Sequence, residues 1–161
     1  MTLRTFSVLN GLSVISLEGG EEIGKVIDLL FQETKVKGLL IDKNGWLNRH
    51  LFVPLDHIHA IGHDALIIDN VNMLSSYDKK QFPYFTLHNG VKKIVGKTLM
   101  STEGEKLGLV EDVYFHEKMG NIVGYEVTDG FIADLKEGKR VLQSTAPLTV
   151  GEEVLVIDLN C

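Results

Sequence analysis

Cysteine is nearly missing: of 161 residues, only Cys161 carries a thiol. One thiol closes no intrachain disulfide, so a reducing, cytoplasmic setting is the natural expectation. Basic excess is missing too. The 16 Lys and Arg stand against 22 Asp and Glu, a net charge of −6. Lys35, Lys37 and Lys43 are scattered and Lys92-Lys93 is only a pair, so nucleic acid is not the favoured partner. The sign of the charge suits solubility and, weakly, a basic partner. No run reaches the roughly 18 apolar residues of a membrane-spanning helix. The opening "MTLRTFSVLNG" lacks the long apolar core and cleavage motif of a signal peptide. Neither an integral membrane segment nor an export signal is expected.

Signatures of chemistry are absent as well. No GxGxxG follows a strand, and no GxxxxGK[ST] occurs. There is no GxSxG elbow, no HExxH and no cysteine pair. The acidic stretches "EGGEE" and "TEGEK" are too short for a calcium-binding EF-hand loop and read as turns. These absences remove the familiar nucleotide-binding, serine-hydrolase and metalloprotease patterns.

What is present is a repetition. "LEGGEEIGKVIDLLF" at residues 17–31 returns as "STEGEKLGLVEDVYF" at residues 101–115. Gly24 faces Gly108, Asp28 faces Asp112, and Phe31 faces Phe115. After two extra residues in "KMGNIVG", Gly38 meets Gly124. The ends match too, "IGHDALIID" at residues 61–69 against "VGEEVLVID" at residues 150–158. A shared start and end in the same order argue for two copies of one module. Three segments follow: residues 1–73 as a first domain, 74–90 as a connection, and 91–161 as a second domain.

The apolar runs are short, rich in Val, Ile, Leu and Phe, and bounded by Gly, Asn or Asp, so strands are expected. "VYFHEKMGNIVGYEV" reads as a hairpin turning at Gly120-Asn121. Val26 and Phe31 fall on opposite parities, as do Val110 and Phe115, although all should be buried. A bulge at each aspartate reconciles them and suits a small, strongly curved sheet. With no series of long helices between strands, a doubly wound fold is not expected. The fold class is therefore mainly β: two tandem small β-barrels with a short linker. "MLSSYDKKQF" could add a short serine-capped helix to that linker, stopped by Pro83.

On "EEIGKVIDLLF", "VKGLLID", "FVPLDHIHAIGHDALIID", "EKLGLVEDVYF" and "VGYEV", the chain resembles the PRC-barrel family, and its whole length resembles the tandem PRC-barrel proteins of bacteria. The resemblance covers about residues 3–71 and 91–160. It implies compact β-barrels used for structural or protein-contact roles, and no single activity. A ribosome maturation factor and the photosynthetic reaction centre H subunit carry related domains. Their roles do not transfer, because this chain has two similar modules and no membrane helix.

Asp28 and Asp112 have two readings. A carboxylate at a bulge accepts hydrogen bonds from exposed backbone donors; an acid/base pair would require the modules to bring the two together. The first is preferred. His50, His57, His59 and His63 cluster in "HLFVPLDHIHAIGH", and His57 and His59 would share a strand face. The second copy has "VLQSTAPLTVGE" there, without histidine, so no metal is assigned. No catalytic or cofactor-binding residue is assigned either. The candidate protein contacts are aromatic: Trp46, Tyr77, Phe82, Tyr84, Phe85 and Phe131. Gly24, Asp28, Phe31, Gly38, Gly108, Asp112, Phe115 and Gly124 form the structural signature of the repeat. The expected function is a noncatalytic scaffold or protein-interaction module, cytoplasmic and peripheral to a larger complex. A small-molecule or ion sensor is the alternative, followed by an RNA-processing or ribosome-associated accessory.

Overall fold

A computed structural model describes residues 2–43, 50–78, 84–129 and 139–159, which are mainly β. The chain opens with strand β1 (Leu3–Thr5) and one helical turn, α1 (Phe6–Leu9). Then come β2 (Ser13–Ser16), β3 (Glu22–Gln32), β4 (Lys35–Lys43), β5 (His50–Pro54), β6 (Ile58–Ile61) and β7 (Ala65–Ile68). Two short strands follow, β8 (Ser75–Ser76) and β9 (Phe85–Thr86). The second copy supplies β10 (Thr98–Ser101), β11 (Lys106–His116), β12 (Ile122–Thr128), β13 (Arg140–Gln143), β14 (Leu148–Val150) and β15 (Val154–Ile157).

The two sheets share one plan. The first runs β6-β7-β2-β3-β4-β5-β8, and the second runs β13-β12-β11-β10-β15-β14. Each contains one parallel pair, β2 with β7 and β10 with β15, in matching register. The register slips between Val26 and Asp28 and again between Val110 and Asp112. Those slips change the parity, so the valine and the phenylalanine of each long strand reach the same buried side. Among the described residues neither ladder returns on itself, so the paired strands do not close into complete barrels.

The strand that leads each copy crosses to the other. β1 pairs with β11, aligning Arg4 with Phe115 and Thr5 with Tyr114. β9 pairs with β3, aligning Phe85 with Phe31 and Thr86 with Leu30. The copies thus exchange leaders reciprocally, instead of forming two independent units. Their hairpins also meet: the Val36 N–H donates to the Gly120 carbonyl at 2.7 Å, and the Ile122 N–H donates to the Thr34 carbonyl at 2.8 Å. Gly120 has φ +81°, and a Cβ there would lie 2.5 Å from the Val36 carbonyl oxygen. One apolar core follows from this arrangement. Phe6, Val26, Phe31 and Leu39 belong to the same buried cluster as Val110, Phe115, Tyr125 and Ile157. Sharing one core relieves the marginal burial that a half-length chain would have alone.

The connection departs from the helical expectation. Asn70, not a serine, caps a 3-10 turn over Val71–Met73, and Ser75–Ser76 is a strand on the edge of β5. The unpaired edge of β5 offers hydrogen bonds that a weak local helix signal does not outweigh.

Candidate functional site

Asp28 and Asp112 occupy equivalent places, and each binds the leader of the opposite copy. Asp112 Oδ1 accepts from Phe6 N–H at 3.0 Å, and Oδ2 accepts from Ser7 N–H at 3.1 Å. Asp28 Oδ1 accepts from Leu87 N–H at 3.0 Å, and Oδ2 accepts from Asn89 N–H at 3.1 Å. The His88 N–H and the Asn89 side-chain amide also donate to Asp28. Each carboxylate takes the next backbone N–H of its own strand as well, Leu29 or Val113, at 2.8 Å. Both side chains are buried; five donors converge on Asp28 and three on Asp112. Each is committed to backbone donors of the opposite copy's leader, which favours the structural reading over the acid/base one.

The histidines are dispersed. His57 ends a 3-10 turn, and His59 lies on β6 with its Nδ1 2.9 Å from Asp69 Oδ1. They therefore share no strand face. Among the described residues, no group of three or more His, Cys, Asp or Glu is placed to hold a metal ion.

The aromatic candidates separate. Trp46, Phe82 and Phe131 lie outside the described residues. Phe85 packs on Phe31, with ring centroids 5.6 Å apart. Tyr77 and Tyr84 pack on the outer face of the first sheet, over Leu30, Leu40 and Phe52, in a second small core. The Phe52 and Tyr84 rings lie 6.0 Å apart. Burial raises the Tyr77 hydroxyl pKa above its ordinary value, helped by the charges of Asp28 and Asp78. β8 carries Tyr77 to this place: Ser75 aligns with Phe52, Ser76 with Leu51, and the Tyr77 N–H donates to the His50 carbonyl at 3.1 Å.

The matching face of the second sheet is open. The strand pairings make Tyr114 the counterpart of Leu30, Gly124 of Gly38, Val141 of Phe52, and Leu3 of Tyr84. Valine and leucine thus stand where the first copy has two aromatic rings. A groove of about 720 Å³ results, with Leu3, Tyr114, Val123, Gly124 and Val141 as its apolar lining. His116, Gln143, Ser144 and Thr145 line it too. Leu3 is 48% exposed and Val141 is 49% exposed, although both sit beside paired backbone. The buried His116 Nδ1 has no hydrogen-bond partner among the described residues. Among the described residues β13 ends its sheet, whereas β5 is covered by β8. Sequence reasoning missed this groove. The signal was the fall in size from Phe52 and Tyr84 to Val141 and Leu3, which becomes legible once the strand pairings align the copies.

Two comparisons bear on this architecture. The PRC-barrel domain model matches the chain twice, at residues 1–73 and 88–159. The chain is also 31% identical over 164 residues to a Bacillus subtilis (strain 168) relative titled "Uncharacterized protein YrrD", covering 98% of this chain and 88% of the relative.

Proposed function

The chain belongs to the PRC-barrel domain family, and from that premise we propose that it is a noncatalytic protein-contact module, two fused copies acting as one mount. The observation that carries this reading is the open groove on the outer face of the second sheet, lined by Leu3, Tyr114, Val123 and Val141. An exposed apolar hollow beside an uncovered sheet edge marks a contact surface. The shared core and exchanged leader strands favour a surface held in fixed geometry, so little ordering cost falls on binding. Fold alone does not assign a role, so the weight rests on this groove. No helix of the described residues is long and apolar enough to cross a membrane. We place the protein in the cytoplasm, at the margin of a larger complex, as fractionation would test.

Affinity capture with the purified chain, followed by direct titration of each recovered protein, is the decisive experiment. The expected outcome is a protein that binds the purified chain directly. The absence of any direct partner, together with verified turnover of a substrate, would overturn the proposal. A sensor is the second reading, favoured by a groove of ligand-like size that His116, Gln143 and Ser144 also line. Its mark would be a small molecule or ion retained stoichiometrically through purification.

A further inference from the structure

The site that holds the first leader reads mostly backbone. Residues 2–10 leave the first module and lie along the second, where β1 pairs with the end of β11 and the Glu117 N–H donates to the Thr2 carbonyl at 3.0 Å. Asp112 takes the Phe6 and Ser7 N–H groups, and Arg4 Nε donates to Glu117 Oε2 at 3.0 Å in a half-buried ion pair. The Phe6 and Leu9 side chains are fully buried in the shared core. One turn returns the chain to its own sheet: Gly11, at φ +85°, donates its N–H to the Val26 carbonyl at 2.8 Å. A Cβ on Gly11 would meet nothing within 4 Å, so its backbone conformation, not lack of space, calls for glycine.

We infer that this site also takes the first leader of a second copy of the chain, giving a dimer in which two molecules trade residues 2–10. The bonds to Asp112, Glu117 and β11 are the same whichever molecule supplies the leader, so closed monomer and exchanged dimer differ at the hinge and in the cost of association. In the closed form Asn10-Gly11 turns back through a left-handed residue; in the exchanged form that stretch runs extended and the constraint lapses. The tether opposes exchange, since it holds the leader at an effective concentration of about millimolar. The monomer therefore prevails in dilute solution, and the dimer grows as the protein nears that concentration. The second leader is held harder. Four of its N–H donors engage Asp28, where two of the first leader's engage Asp112. It also lies between β8 of the first sheet and β10 of the second, so it cannot leave without taking a module with it.

A charge exchange on the full chain tests this. Arg4→Glu and Glu117→Arg each set like charges against one another in the closed form. In a reciprocal dimer of one variant with the other, both pairs become opposite in sign. Light scattering at about a tenth of the effective concentration should find monomers for wild type, for each single variant and for the chain carrying both changes. The last also shows that the reversed pair still folds. The two single variants are then mixed in urea just below their midpoints, so that the buried Phe6 and Leu9 let go, and dialysed back. The mixture should give a species of twice the monomer mass. Gly11→Ala leaves the site itself untouched. Each opened hinge sheds its left-handed strain, so dimerisation should strengthen by about tenfold per hinge. Should a charged variant fail to fold, Gly11→Ala decides alone. A mixture that stays monomeric, or a Gly11→Ala chain no more prone to dimerise than wild type, would overturn the inference. So would dimers that form as well within one single variant as between the two, because the contact would then lie elsewhere.

Discussion

Leu30, Leu40 and Phe52 on the first sheet stand where Tyr114, Glu126 and Val141 stand on the second, yet among the described residues one face is roofed by aromatic rings and the other holds an open groove. The inner faces differ far less. Each has a bulge aspartate, a buried phenylalanine three residues later, and a leader strand received from the opposite copy. The inner face cannot drift, because the two copies share one core and each aspartate must satisfy the backbone of its neighbour. The outer face carries no such mutual constraint. There, a small side chain in place of an aromatic costs little in the shared core and opens a surface. Duplication thus separates two tasks: matched inner faces weld the pair, and unmatched outer faces leave one side available.

The sharpest way to break the inner equivalence is to remove its aspartates. Asp28→Ala leaves the N–H groups of Leu29, Leu87, His88 and Asn89 without their acceptor. Asp112→Ala strands three, those of Phe6, Ser7 and Val113. Losing the acceptor of several buried donors should cost about 3–5 kcal/mol at Asp28 and about 2–4 kcal/mol at Asp112, read by urea denaturation. Both variants should still unfold in a single transition at lower urea, since each aspartate anchors a segment of the other copy. A separate early transition for one module would refute that coupling.

A smaller effect distinguishes the copies by pH. Tyr125 is the counterpart of Leu39, and burial pushes its hydroxyl from the ordinary 10.0 up to about 12. The folded state therefore holds the proton more tightly than the unfolded chain. Stability is intact below about pH 10 and declines as pH rises toward 12, by about 2–3 kcal/mol in all. In Tyr125→Phe that part of the alkaline decline should vanish, which denaturant titrations at pH 9 and about pH 11 would measure. Equal pH dependence in the two proteins would place the alkaline loss elsewhere.

Much of the inner face was legible before any coordinates, because it is written in local chemistry. Parity conflict between Val26 and Phe31 requires a bulge, and a short carboxylate at a bulge invites backbone donors. Both inferences concern residues close in sequence. The leader exchange was not legible. A strand's choice of sheet is a long-range event that no local pattern encodes. The full closure implied by barrels also failed among the described residues, since curvature from a bulge does not by itself supply a last strand pairing. Tyr77 is a candidate contact residue in the sequence, but the strand that carries it, β8, lies in a stretch that offered only a weak helix signal. The free edge of β5 decided that segment, and an edge is a property of the folded sheet. The groove was the least visible feature, because Val141 and Leu3 are unremarkable until paired with Phe52 and Tyr84.

The gentlest discriminator adds a single methyl group to each outer face. At Gly38 a Cβ would lie 2.2 Å from the Val53 carbonyl oxygen and inside contact distance of the Phe52 ring. The backbone of β5 and a packed aromatic would both have to retreat, so Gly38→Ala should cost about 1–3 kcal/mol. At Gly124 the nearest atom is the Leu142 carbonyl oxygen at 3.2 Å, with Val141 Cγ1 at 3.5 Å. The exposed edge strand β13 can yield by a few tenths of an ångström, and Gly124→Ala should cost less than about 1 kcal/mol. Equal destabilisation at the two glycines would mean that the second face is as tightly roofed as the first, and the asymmetry from which the groove follows would be gone.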